Sequence, residues 1–192
     1  MSVTIPPEAK KVFDGVMFEV WQWEQEVYDG TTHTYERLRR RDTGTAIPIV
    51  GDKILIEHQE QPSRDPFISF PGGMIEYGAD PLQETARELL EETGYDAQEL
   101  VYFKTFSPSR LILWNSIFYI ARNCKKIQEP TPEGGERIAI ELISFDDFLE
   151  LADNPMFRHK DLEATLVRAR CSAEKQSELK RLLFGIDLNP TP

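Results

Sequence analysis

Between residues 12 and 38 apolar and polar side chains alternate. Val16, Phe18 and Val20 fall on one face, and Met17, Glu19, Trp21 and Trp23 on the other. A period of two is that of an extended strand, and Asp29-Gly30 suits a tight turn, so the pattern predicts an antiparallel hairpin over 12–38. Short runs rich in branched and aromatic residues predict further strands at 46–50, 53–57, 67–70, 101–106, 111–121 and 138–144, the first two joined at Gly51-Asp52. Helices are expected at 81–93 and then, in the tail, near 146–152, 160–169 and 173–183.

The helix at 81–93 has both ends written in its sequence. Asp80 can N-cap, Pro81 fits the first helical position, Gln83 completes a capping box and Gly94 suits the residue just past the end. Placed at 100° intervals, Leu82, Ala86, Leu89, Leu90 and Thr93 form a core-facing stripe. Glu84, Glu88, Glu91 and Glu92 gather opposite it. Like charges at helical spacing repel by roughly 0.2–0.5 kcal/mol per pair, and those in the last turn also oppose the helix dipole. Arg87, which can pair with Glu91, offsets only part of that cost, so the acidic face points to a use other than stability.

Charge and composition narrow the possible uses. With 33 acidic and 22 basic residues among 192, the net charge is −11, a field that repels a nucleic-acid polymer. A small polyanion can still bind where divalent ions and a few arginines neutralise it locally. No apolar run approaches the roughly 20 residues needed to cross a membrane, and residues 1–11 lack the apolar region of a secretion signal, so a cytoplasmic location is expected. Cys124 and Cys171 are too few for a disulfide framework, and His33, His58 and His159 follow no ligand pattern. Both cysteines are expected to be reduced packing residues.

Behind Gly72-Gly73, the run Arg87-Glu88-Leu89-Leu90-Glu91-Glu92-Thr93-Gly94-Tyr95 resembles the signature of the Nudix hydrolase family. Counted from Gly73, Arg87, Glu88, Leu89, Glu91, Glu92, Gly94 and Tyr95 all fall at the required spacing. The one departure is the first glutamate of the signature, whose position Ala79 holds. The resemblance implies an α+β fold, an α/β/α sandwich with a mixed sheet, a loop-helix-loop catalytic motif and an N-terminal antiparallel strand element. It also implies a division into an N-terminal element at 1–42 and a hydrolase domain at 43–192. Implied ligands of Mg2+, with Mn2+ as a possible substitute, are Glu88, Glu92, Glu91 and Gly73, while Arg87 orients a glutamate. Magnesium takes hard oxygen ligands, and such ions neutralise a diphosphate and orient a water.

Beyond the signature, the chain resembles the ADP-ribose and nucleotide-sugar pyrophosphatase group, whose members exchange an N-terminal strand element across a homodimer. The implied reaction cuts a nucleoside diphosphate derivative into a nucleoside monophosphate and a phosphorylated remainder. Clearance of nucleoside triphosphates and a non-catalytic nucleotide-sugar-binding module are the alternatives. Arg64 stands roughly where the group keeps a phosphate-binding arginine, although a loop arginine also confers solubility. Arg37 and Arg39 to Arg41 could face a partner's site or guard a strand edge. Trp21 and Trp23 could stack on a base or pack a dimer, and the loop Ser109-Arg110-Leu111 lacks the glycine usual in ADP-ribose hydrolases, leaving Arg110 a substrate-binding candidate. The acidic loop 129–136 supplies candidates for the general base, Glu136 first and Glu133 second, with Glu91 on the helix as another catalytic carboxylate.

Overall fold

The computed structural model describes residues 4–62, 64–132 and 135–185. Three strands open the chain: β1 (Lys10–Asp14), β2 (Glu19–Glu26) and β3 (Thr32–Arg39). The hairpin β2–β3 turns at the expected dipeptide, where Gly30 takes a φ of 81° and Asp29 Oδ1 accepts from the Thr31 amide at 2.9 Å. β1 is a strand the alternation did not signal, because every one of its residues is exposed. It pairs antiparallel with β2 through an irregularity between Lys11 and Phe13. Val16 and Phe18 lie in the connection rather than in a strand.

The chain continues through β4 (Thr43–Val50), β5 (Lys53–Glu60), β6 (Phe67–Ser69), β7 (Gly72–Met74), helix α1 (Pro81–Thr93) and β8 (Tyr95–Asp96). After these come β9 (Glu99–Phe106), β10 (Ile112–Leu113), β11 (Ser116–Arg122), β12 (Lys125–Lys126), β13 (Arg137–Ile143), α2 (Phe145–Glu150), α3 (Lys160–Cys171) and α4 (Ala173–Phe184). The expected single strand at 111–121 is two. β10 runs parallel to β3 and completes the N-terminal sheet, and β11 enters the central one. β10 covers β3 only at Leu38 and Arg39, so that end of the strand is not a sheet edge.

The central sheet has the order β13-β5-β4-β11-β9, with β6 on β5 and β7 on β4. It is mixed, because β11 runs parallel to β4 and antiparallel to β9. Alternation along its strands separates two cores. Ile47, Ile49, Phe118 and Ile120 face Phe148, Leu162, Leu166 and Leu183 of the tail helices. The opposite face carries small residues, Ala46, Ala121 and Cys124, against Leu89 of α1. This is an α+β sandwich with helices on both faces, and none of its described helices is long and apolar enough to cross a membrane. Of the cysteines, Cys124 packs in the core, while Cys171 is exposed and not a packing residue.

α1 begins and ends where its caps dictate. Asp80 accepts from the Leu82 amide at 3.0 Å rather than forming a box with Gln83, and Gly94, at a φ of 74°, donates to the Leu90 carbonyl at 2.8 Å. Its buried face, however, is rotated from the expected stripe. Thr85, Leu89, Glu92 and Thr93 are buried, whereas Leu82 is 39% exposed. The cause is a close backbone approach: a Cβ on Gly44 of β4 would overlap the Thr85 hydroxyl, so the helix lies on that edge. Burial at this depth sets the cost of truncation, so Leu89→Ala is expected to lose about 2–4 kcal/mol and Leu82→Ala less than about 1. Urea unfolding of the two variants checks this, and equal losses would contradict the rotated face.

Candidate active site

The end of α1, the start of β7 and the loop after β5 enclose a cleft of about 510 Å³. Glycines bring its carboxylates against the backbone. A Cβ on Gly73 would stand 2.7 Å from the Glu88 carboxyl carbon, and the Gly72 amide donates to Glu92 Oε2 at 2.7 Å. Arg87 binds three glutamates at once, Glu88 and Glu91 at 2.5 Å and Glu84 at 3.1 Å. Its side chain gathers the acidic face of α1.

Two further carboxylates meet those of the helix. Glu57, on β5, is fully buried. Its Oε2 accepts from Gln59 at 2.7 Å and from Ser69 at 3.4 Å, while its buried Oε1 has no hydrogen-bond partner. Glu136 Oε1 accepts from Gln61 Nε2 at 2.6 Å and lines the same cleft. Burial first, and then Glu136 and Glu88, push the Glu57 carboxyl up to about 7 against the pull of Gln59 and Ser69. Burial and then Glu57 push Glu92, only 5% exposed, higher still, despite the Gly72 amide.

The same cleft also presents Arg40, Arg64 and Arg158. Arg40 lies over Trp114 at 4.6 Å and Arg158 over Phe67 at 5.1 Å. Desolvation first, and next Arg64, hold both guanidinium groups below the ordinary arginine range. Beside them His159 accepts from the Phe70 amide at 3.1 Å, and burial drives its pKa down to about 3. It is a neutral packing histidine whose tautomer that bond fixes.

The structure thus brings Gly73, Arg87, Glu88, Glu91, Glu92, Glu136 and Arg64 to one cleft. Arg110 lines an adjoining cleft of about 760 Å³, as does Ala79. Arg37, Trp21 and Trp23 stay on the N-terminal sheet and line neither. Arg37 donates to the Thr4 carbonyl at 2.8 Å, and Trp23 is already buried within its own chain, against Tyr35, so it needs neither substrate nor partner to cover it. Glu133 lies outside the described residues. Sequence reasoning missed Glu57, Arg158 and the cleft position of Arg40. A glutamate closing the apolar run Ile54-Leu55-Ile56 was the signal for the first.

Among the described residues no three acidic, histidine or cysteine side chains stand close enough to enclose a metal ion as they are. The donor set nevertheless suits a hard divalent cation, because only oxygen ligands are offered and a buried carboxylate oxygen of Glu57 is left without a partner. Both buried acids have raised pKa values, so the metal-free fold is favoured below the ordinary value of 4.5 and loses stability as pH rises through about 7 and above. Metal-free Glu92→Gln, which cannot ionise, is therefore expected to melt above the wild type at pH 8 and close to it at pH 4.5. Equal pH dependence of the two melting temperatures would contradict the assignment.

Residues 40–164 match the model of the NUDIX domain. Curated relatives include the methanol dehydrogenase activator of Bacillus methanolicus, 26% identical over 104 residues, covering 53% of this chain and 56% of that protein. The ADP compounds hydrolase NudE of Escherichia coli strain K12 is 29% identical over 94 residues, 47% of this chain and 50% of that one. The ADP-ribose pyrophosphatase of Bacillus subtilis strain 168 is 24% identical over 102 residues, 52% of this chain and 55% of that one. The match spans about half the length of each of these relatives. A crystal structure of an ADP compounds hydrolase has the same fold, with a TM-score of 0.70 and 21% identity over 91% of this chain and 98% of that chain. The matched segment holds the whole of α1 and most of the acid- and arginine-lined cleft, and the chain belongs to the NUDIX domain family.

Proposed function

We propose that the protein is a hydrolase that cuts the pyrophosphate bond of a nucleoside diphosphate joined to a second group, such as ADP-ribose or a nucleotide sugar. The observation that carries this reading is the meeting of Glu88, Glu92 and Glu136, with Glu57 buried beside them, and Arg40, Arg64 and Arg158 in one cleft. A divalent ion, Mg2+ or in its place Mn2+, supplies charge neutralisation and an activated water when bound. Glu88, Glu92 and Glu91 would hold it, and Glu57 adds the carboxylate that Ala79 does not. Arg87 keeps the helix glutamates together. Glu136, oriented by Gln61, takes the proton of the attacking water, with Glu133 the next choice.

The adjoining cleft shares Arg40, Glu76 and Trp114 with the first and would take the part of the substrate beyond the phosphates, where Tyr77, Trp114 and Arg110 offer aromatic and cationic contacts. Two relatives, an ADP compounds hydrolase and an ADP-ribose pyrophosphatase, favour an ADP-linked substrate. A second copy of the chain would cover Val12, Phe13, Val16 and Met17, apolar residues that the N-terminal sheet and its first turn leave exposed. Sedimentation is expected to show a homodimer, and a monomer at high concentration would remove that part of the reading.

Activity is tested on a panel of ADP-ribose, nucleotide sugars, dinucleotides and nucleoside triphosphates, with Mg2+, Mn2+ or a chelator. Cation-dependent turnover of the diphosphate esters is expected. Glu88→Gln should lower turnover at least about 100-fold, and Glu136→Gln roughly 10²–10⁴-fold with little change in KM. Faster turnover of triphosphates would favour their clearance, and binding without hydrolysis would favour a sensing module. A Glu136→Gln rate within a few-fold of wild type would move the base to α1.

A further inference from the structure

The segment between the tail helices α2 and α3 enters the cleft with a chemistry that the acidic helix does not supply. Its Phe157 bridges Ile68 in a strand-like pairing, in which the Ile68 amide donates to the Met156 carbonyl at 2.8 Å and the Arg158 amide to the Ile68 carbonyl at 2.9 Å. His159 then clamps the segment from the other side, its ring among Phe70, Phe118 and Phe157 and its Nε2 on the Phe70 amide. The backbone of Arg158 is thereby fixed on both flanks, and its side chain is aimed across the face of Phe67.

What this side chain meets is the same charge. Arg158 lies within the fields of Arg64 and Arg40, and Arg40 within that of Arg64. Arginines nearby and elsewhere in the fold do find carboxylates: Arg41 pairs with Glu76, Arg87 with three glutamates, and Arg170 with Glu150 and Asp153. Among the described residues Arg40, Arg64 and Arg158 have no such ion pair, and Arg40 Nε is buried with no hydrogen-bond partner. Three guanidinium groups drawn from separate segments into one cleft without an ion pair repel one another. An anion with several oxygens removes that cost, and a planar guanidinium can bind such oxygens two at a time.

We propose that Arg158 binds substrate directly, forming with Arg40 and Arg64 a wall that holds the two phosphates of a pyrophosphate link against the carboxylates of α1. The proposal rests on the reading of the cleft as a pyrophosphate site. Arg158 also feels Glu92 and Glu136, so its other conceivable use is as a permanent counter-charge that keeps the acids together.

Calorimetry without turnover separates the two, using inorganic pyrophosphate and α,β-methylene-ADP as probes in the presence of Mg2+, and Mg2+ alone. Arg158→Met keeps the apolar stem over Phe67, and Lys175→Ala, which removes a surface ion pair with Glu178, is the control. Arg158→Met is expected to weaken both probes roughly 10–100-fold, with Arg158→Lys recovering part of the loss. Melting temperature and affinity for Mg2+ alone should stay close to wild type. Probe affinities within about two-fold of wild type would overturn the proposal, as would a loss matched by an equal loss of Mg2+ affinity. If the wild type binds pyrophosphate but not α,β-methylene-ADP, the nucleotide reading fails while the arginine wall stands on the pyrophosphate data. If it binds neither, both fail.

Discussion

Two carboxylic acids, Glu57 and Glu92, are buried beside each other at the junction of β5, β7 and the end of α1, with Glu88 and Glu136 close enough to raise both pKa values further. Burying one such charge without a partner is costly, and burying two like charges costs more. The surrounding structure is arranged around that constraint. Gly44 lets α1 settle deep enough to carry Glu92 inward, Gly72 offers it an amide, and Gly73 leaves room for Glu88. Gln59 and Ser69 satisfy one oxygen of Glu57 and leave the other without a partner. A fold selected for stability alone would place apolar residues there.

The same cleft carries both signs of charge. Its carboxylates favour a cation, and its arginines, of which Arg158 is held by the Phe157 to His159 segment, favour an anion. A metal-bound pyrophosphate satisfies both at once, and the groups that would hold it come from separate segments of the chain. The acids stand on α1 and the sheet, whereas Arg158 arrives from the chain that links the tail helices. The central sheet is what keeps these groups in register, so the packed cores on its two faces have a functional consequence beyond stability.

The sequence was most legible where local rules act. Asp80, Pro81 and Gly94 marked the ends of α1, Asp29-Gly30 marked a hairpin turn, and alternation marked the buried strands of the sheet. Spacing alone gathered Glu84, Arg87, Glu88 and Glu91, and the resemblance supplied Glu136 and Arg64, which the structure brings to the same cleft. Long-range packing was not legible. The rotation of α1 that buries Glu92 depends on Gly44, far away in sequence, and the placement of Arg158 depends on a pairing with β6. β1 escaped notice because an exposed strand leaves no hydrophobic period to read, and the break between β10 and β11 was hidden inside one apolar run. Trp21 and Trp23 were open to base stacking or dimer packing, yet Trp23 packs against Tyr35 within the N-terminal sheet.

If the buried acids are held partly protonated until a cation arrives, binding of the cation must displace protons. Titrating Mg2+ into the metal-free protein at pH 7.5, in buffers that differ in ionisation enthalpy, measures this directly. The expected result is a heat that varies with the buffer and corresponds to about one proton released per site, reduced in Glu92→Gln. A binding heat independent of the buffer would contradict the account, since the carboxylates would then be fully ionised before the metal binds.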